Sequence, residues 1–78
     1  MPPLDKIIER IKRRPSEADF EDVRALLEAY GWTLDRERGS HCIFTKAGER
    51  TQTVPLVKGR GVKRYILDQI LERLGLNE

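Results

Sequence analysis

Near Tyr30 the hydrophobic period of the chain changes, and that change limits the fold more than any other feature of its 78 residues. Upstream, Phe20, Val23, Leu26, Leu27 and Tyr30 recur at the three-and-four spacing of one helix face. Downstream, Trp32 and Leu34 alternate with Thr33 and Asp35, the two-residue period of a strand. Gly31 stands between the two patterns, where a helix that ends in a left-handed residue places its glycine. Asp19 is placed to cap the same helix, with Glu21 and Asp22 in its first turn. The chain therefore combines helix and sheet.

The strand pattern continues. Arg36 to Gly39 is polar and turn-like, and Ser40 to Thr45 is rich in β-formers. Within that run Cys42 and Phe44 share one face, with His41, Ile43 and Thr45 on the other. Ala47-Gly48-Glu49 reads as a turn, and Arg50 to Leu56 alternates again. Pro55 has no N–H for a ladder, so this third strand lies at an edge or finishes there. Lys58-Gly59-Arg60-Gly61 is a basic, glycine-rich loop leading into a helix over 62–74, whose face carries Val62, Ile66, Ile70 and Leu74 and is widened by Leu67 and Leu71. At the other end of the chain, Pro2 and Pro3 precede a stripe of Leu4, Ile7, Ile8 and Ile11. Arg13-Arg14-Pro15 ends that first helix, because proline pushes the residue before it out of the α region. The expected order is helix, helix, three strands in an antiparallel meander, helix. The second and last helices should cover one sheet face, leaving the other face, or the edge and turns, for a partner.

The bulk numbers fit one small α+β domain over residues 1–78, with an extra helix in 1–15 and a core over 19–75. A chain of this size buries only roughly 60% of its unfolded surface, so contact with a partner or an oligomer is expected. Charged residues make up 36% against 38% hydrophobic, but the apolar residues are periodic, so the chain is not read as disordered. One cysteine allows no intrachain disulfide, and no Cys/His cluster is present for zinc. No apolar run approaches the ~20 residues that span a bilayer, and no signal peptide is visible, so a soluble cytoplasmic protein is expected.

The net charge of +2 is unevenly spread. Residues 31–67 carry eight basic and three acidic side chains, +5, whereas residues 1–30 sum to −1 and residues 68–78 to −2. The excess suits a polyanion such as nucleic acid, and equally serves to solubilise exposed strands. Lys12-Arg13-Arg14 has the same two readings, a phosphate contact or a solvated helix end favoured by the dipole. Tyr30 and Trp32 could stack on bases or belong to the core at a helix–strand junction.

His41 is the only histidine. It lies inside the positive segment, at the head of a strand. Histidine is the side chain whose unperturbed pKa, about 6.5, lets it take and give a proton near neutrality. RNA carries its own nucleophile in the 2′-hydroxyl. Its cleavage needs a proton taken from that oxygen, a proton given to the leaving 5′-oxygen, and compensation of the added negative charge. A placed imidazole contributes about 10²–10⁴-fold, fixed cations and N–H groups supply the charge, and no metal or other cofactor is required. The candidate phosphate contacts are Arg36, Arg38, Lys46, Lys58, Arg60, Lys63 and Arg64. Gly39 would let a polymer approach the backbone, and Ser40 would orient His41 or donate to a phosphate oxygen. Residues 58–64 would stand at a helix N-terminus, where unpaired N–H groups favour anions. The second proton-transfer group is left open between Tyr65, Lys63 and a second subunit. Against all this stands the plainer reading that His41 is simply a polar strand residue. Cys42 reads as a small core residue, not a nucleophile.

One further observation bears on that choice. The helix ending in Gly31-Trp32, the segment Arg38-Gly39-Ser40-His41-Cys42-Ile43-Phe44, the Val54-Pro55 step and the terminal helix together resemble the HicA family of bacterial toxins. The Gly-Ser-His-x-x-Phe segment is the specific part. The likeness runs from about Phe20 to Leu74. It implies a double-stranded-RNA-binding-like fold, a metal-independent mRNA interferase activity, mRNA as substrate and a HicB-like antitoxin as partner, with assembly through the antitoxin left open. It places the catalytic role on His41, and the family's motif glycine and serine on Gly39 and Ser40. Many members carry a histidine shortly after the Val-Pro step and Gly-Thr-Leu at the start of the last helix. Here Leu56-Val57-Lys58 and Val62-Lys63-Arg64-Tyr65 stand there, which is similar to a divergent branch that also has an N-terminal helix. The rival expectations are a non-catalytic reader of A-form RNA and a pure protein-interaction module.

Overall fold

The computed structural model describes residues 3–76. The N-terminal stripe forms α1 (Leu4–Lys12), which buries Ile7 and Ile11 and ends ahead of Pro15 as expected. Pro2 lies outside the described residues. A short strand β1 (Glu17–Asp19) leads into α2 (Phe20–Ala29), then β2 (Thr33–Arg38), β3 (His41–Thr45), β4 (Gln52–Pro55), β5 (Gly61–Lys63) and α3 (Arg64–Arg73).

Asp19 occupies the N-cap position of α2 in an extended conformation, though its side chain makes no capping hydrogen bond. At the far end Gly31 takes φ +90. Its N–H donates to the Glu28 carbonyl at 3.1 Å and the Trp32 N–H to the Leu27 carbonyl at 3.0 Å, the paired closure of a Schellman motif. That closure turns Trp32 into the core, where it is 3% exposed. α3 ends the same way, with Gly75 N–H on the Glu72 carbonyl at 3.1 Å and Leu76 N–H on the Leu71 carbonyl at 2.9 Å.

The strands β2, β3 and β4 form an antiparallel sheet in that order. Its inner face presents Cys42, Phe44, Gln52 and Val54, which are buried together with Val23, Leu26 and Leu27 of α2 and Ile66, Leu67, Ile70 and Leu71 of α3. Phe20 and Phe44 meet at 6.1 Å between ring centroids. Gln52 is the one buried polar side chain among the described residues, and it is satisfied. Its carbonyl accepts from Arg73 Nη1 at 3.1 Å, and its amide donates to the Thr53 carbonyl at 3.0 Å.

Besides the unexpected strand β1, two elements differ from the sequence reading. Arg36 to Arg38 belongs to β2 instead of a turn, and the hairpin turn shrinks to Gly39-Ser40. Polar residues tolerate a strand there because β2 is an edge and all of Asp35 to Arg38 is exposed. Residues 61–63 form β5 instead of opening the last helix, so Lys58, Gly59 and Arg60 sit in a loop and Lys63 is the N-cap of α3. β5 pairs antiparallel with β1, Glu17 opposite Lys63 and Asp19 opposite Gly61. Three-residue strands hold too few positions to show a period, and this pairing joins residues distant in sequence.

Candidate nucleic-acid interface

The Gly39-Ser40 turn aligns the candidate residues. Gly39 takes φ +58, while Ser40 has no positive φ, the pattern of a type II′ hairpin, which favours glycine at its first central position. A Cβ at Gly39 would meet nothing within 4 Å, so glycine serves the backbone and the surrounding space is open. The Ser40 carbonyl accepts the Leu56 N–H at 2.7 Å, fastening the turn to the exit of β4.

Register then arranges two rows across the helix-free face. Arg38 lies opposite His41, and His41 opposite Pro55. Arg36 lies opposite Ile43, and Ile43 opposite Thr53. Side chains so paired have Cβ atoms about 4.5–5.5 Å apart. The two arginines reach this face because of a bulge. Leu34 pairs with Phe44 on the inner face, and strict alternation would turn Arg36 and Arg38 inward with it. Asp35 is an extra residue, the register shifts between Leu34 and Arg36, and both arginines emerge beside His41.

The nominated cations are not equally available. Arg36 Nε pairs with Asp35 at 3.1 Å. Arg60 pairs with Glu37 at 3.6 Å and lies 4.8 Å above the Phe20 ring. Lys63 pairs with Glu17 at 3.8 Å, and Arg64 Nε donates to the Arg14 carbonyl at 2.8 Å. No ion pair or side-chain hydrogen bond among the described residues engages His41, Arg38, Ser40, Lys46 or Lys58. Lys46 follows the far end of β3, with its Cε 3.4 Å from where a Cβ on Gly31 would lie, so it stands at the opposite end of the hairpin from His41. Lys58 follows Leu56 by two residues and is exposed. The group at the turn is thus His41, Arg38 and Ser40, with Arg36 one row away and Lys58 on the adjoining loop.

Several other readings resolve. Cys42 is buried, its thiol donates to Glu37 at 3.5 Å, and burial followed by Glu37 pushes its pKa up, the opposite of an activated thiolate. Trp32 is core, with the Arg73 guanidinium 4.8 Å above its ring, and Tyr30 packs against the core half-buried. In the Lys12-Arg13-Arg14 run, Arg13 pairs with Glu9 at 3.0 Å and Arg14 pairs with Asp68. Tyr65 is 60% exposed in the first turn of α3. The sequence reading passed over Asp35 and Glu37, the carboxylates that decide which arginines are occupied. The alternation Asp35-Arg36-Glu37-Arg38 was its only trace.

His41 lies on an open sheet face. Surface depressions lie beside Gln52, Gln69 and Arg73, beside Arg10, Pro15 and Asp22, and beside Phe20 and Gly59, and His41 lines none of these three. Among the described residues no three His, Cys, Asp or Glu side chains are grouped to hold a metal ion, and no helix is long and apolar enough to cross a membrane.

A family model described as the HicA toxin of bacterial toxin–antitoxin matches residues 20–76. No curated protein and no solved structure matches the chain.

Proposed function

The chain belongs to the HicA toxin family, and from that premise we propose that it is a metal-independent endoribonuclease that cleaves mRNA in the cytoplasm with His41 as its catalytic group. One observation carries the reading: an exposed imidazole in a cross-strand row with Arg38 on a helix-free face, neither side chain having an ion pair or hydrogen bond among the described residues.

In this reading His41 takes the proton of a 2′-hydroxyl as that oxygen attacks the adjacent phosphorus. The P–O5′ bond breaks, leaving a cyclic phosphate and a 5′-hydroxyl. Arg38 lies beside the phosphorus and offsets the charge gained there. Ser40 and the exposed turn hold the neighbouring phosphate oxygens, with Lys58 and Arg36 on either side. Lys63 is engaged by Glu17 and Tyr65 stands on α3, which packs on the other sheet face, so the leaving oxygen draws its proton from water, and turnover is slower than at a two-histidine site. An open face suits a polymer better than a small molecule. A HicB-like antitoxin, which the family's place in toxin–antitoxin systems implies, would cover His41 and set acidic residues against this surface.

The test is incubation of the purified chain, wild type and His41→Ala, with a defined RNA in the presence of a chelator. Cleavage by wild type, lost at least 10²-fold in the variant, is expected. Expression of the wild type alone should arrest growth, and His41→Ala should relieve the arrest at equal protein level. RNA bound without cleavage, with equal affinity for both proteins, would instead make this a non-catalytic RNA-binding module.

A further inference from the structure

We propose that the open edge of β2 takes an extended acidic segment of a protein partner as an additional strand. The inference does not rest on RNA cleavage. Because the Ser40 carbonyl accepts from Leu56, even-numbered residues of β3 direct their main-chain groups toward β4 and odd-numbered ones toward β2. Arg36 and Arg38, opposite Ile43 and His41, are therefore bonded into the sheet. Leu34 and Glu37, opposite Phe44 and Cys42, turn their N–H and C=O groups outward. No main-chain hydrogen bond among the described residues reaches those outward groups.

The other edge is closed. Just before β4 the carbonyl of Thr51 accepts from Arg73 Nη1 at 3.0 Å, and on β4 the outward carbonyl of Thr53 accepts from Gln52 Nε2 at 3.0 Å. Pro55 has no N–H to offer. Exposed edges are commonly blocked in this manner, and here one edge is blocked while the longest strand of the fold is not.

The side chains along β2 select the occupant. A strand laid beside it meets Arg36 and Arg38 on the helix-free face and half-buried Leu34 on the inner face. A carboxylate opposite Arg38, a second one opposite Arg36 that competes with its 3.1 Å contact to Asp35, and an apolar residue opposite Leu34 complement this edge. A second copy paired through the same edge would gather four arginines on one face, which like-charge repulsion disfavours. A phosphate backbone accepts hydrogen bonds but donates none, so it would leave both outward carbonyls unpaired. The Asp35 bulge twists the edge, which favours a short segment over a long flat strand. Such a partner would occupy Arg36 and Arg38 from the strand next to His41.

The probe is the capped peptide Glu-Thr-Glu-Val, which sets its carboxylates on the arginine face and its valine on the Leu34 face, in millimolar excess over the full chain, read by amide hydrogen exchange. Exchange at Leu34 and Glu37 should slow about tenfold or more while Arg36 and Arg38 stay as they were. A peptide N-methylated at the bonding amides should give no protection. The Arg36→Glu/Arg38→Glu double variant should lose the effect and regain it with Lys-Thr-Lys-Val. The proposal fails if the peptide leaves both amides unchanged, or if the lysine or N-methylated peptide protects the wild type equally. It fails too if raising the protein concentration alone protects them, which would mean a second copy, or if an RNA oligonucleotide does.

Discussion

Replacing Arg73 by methionine tests whether an arginine stacked on an aromatic ring is here a staple of the fold. Such a pair in a basic protein resembles a nucleic-acid contact, but this guanidinium is spent internally. It donates to the Arg50 carbonyl at 2.9 Å, the Thr51 carbonyl at 3.0 Å and Gln52 Oε1 at 3.1 Å while lying 4.8 Å above Trp32. The first two bonds are solvent-exposed and contribute about 0.5 kcal/mol each. The third satisfies a side chain that is only 5% exposed, and orphaning that oxygen costs about 1 kcal/mol or more. The ring contact adds about 0.5 kcal/mol. Methionine retains packing over the indole, so the net loss is about 2 kcal/mol. For a domain of this size that lowers Tm by roughly 8–16 °C. Urea unfolding followed by tryptophan fluorescence gives the value, since Trp32 is the only tryptophan. RNA affinity measured well below the new Tm should be unchanged. A loss under about 0.5 kcal/mol, or weakened RNA binding by the folded variant, would refute the reasoning.

Other expectations follow from the same geometry. In a His41→Ala background, Arg38→Ala should lower RNA affinity and reduce the log–log salt slope by about 0.7, the value for one phosphate contact on a single strand. Lys46→Ala, at the far end of the hairpin, should change neither. Cys42 should alkylate far more slowly than a free thiol at pH 8 and rapidly in urea. Its raised folded pKa also fixes a sign: above the ordinary thiol value of about 8.5 the unfolded chain ionises and the folded one does not, so wild type should lose stability relative to Cys42→Ala as pH rises further. Deleting Asp35 should cost under about 1 kcal/mol and keep Arg36 and Arg38 outward, because the deletion regularises the pairing of Leu34 with Phe44 and Arg36 with Ile43. Deleting Glu37 should misplace Arg36 and unfold the hairpin. Proteolysis and urea unfolding distinguish the two.

What the sequence determined by itself was whatever depends on neighbours within about a turn of helix or a few strand residues. The stripe from Phe20 to Tyr30 and its glycine closure, the shared face of Cys42 and Phe44, and the placing of His41 on the opposite face were all legible, because helix and strand periods are local properties of the chain. Burial of Trp32 was left open there and decided by the Schellman turn that aims it inward. The tertiary structure alone decided three things. It supplied the Asp35 bulge, which moves two arginines to the face of His41, since register depends on a partner strand. It supplied the pairing of β1 with β5, which joins Ala18 to Val62 across most of the chain. And it sorted the cations, holding Arg60, Lys63 and Arg64 against Glu37, Glu17 and the Arg14 carbonyl while Arg38 has no side-chain partner among the described residues. Composition counts charges, but only the folded chain says which of them already have a partner.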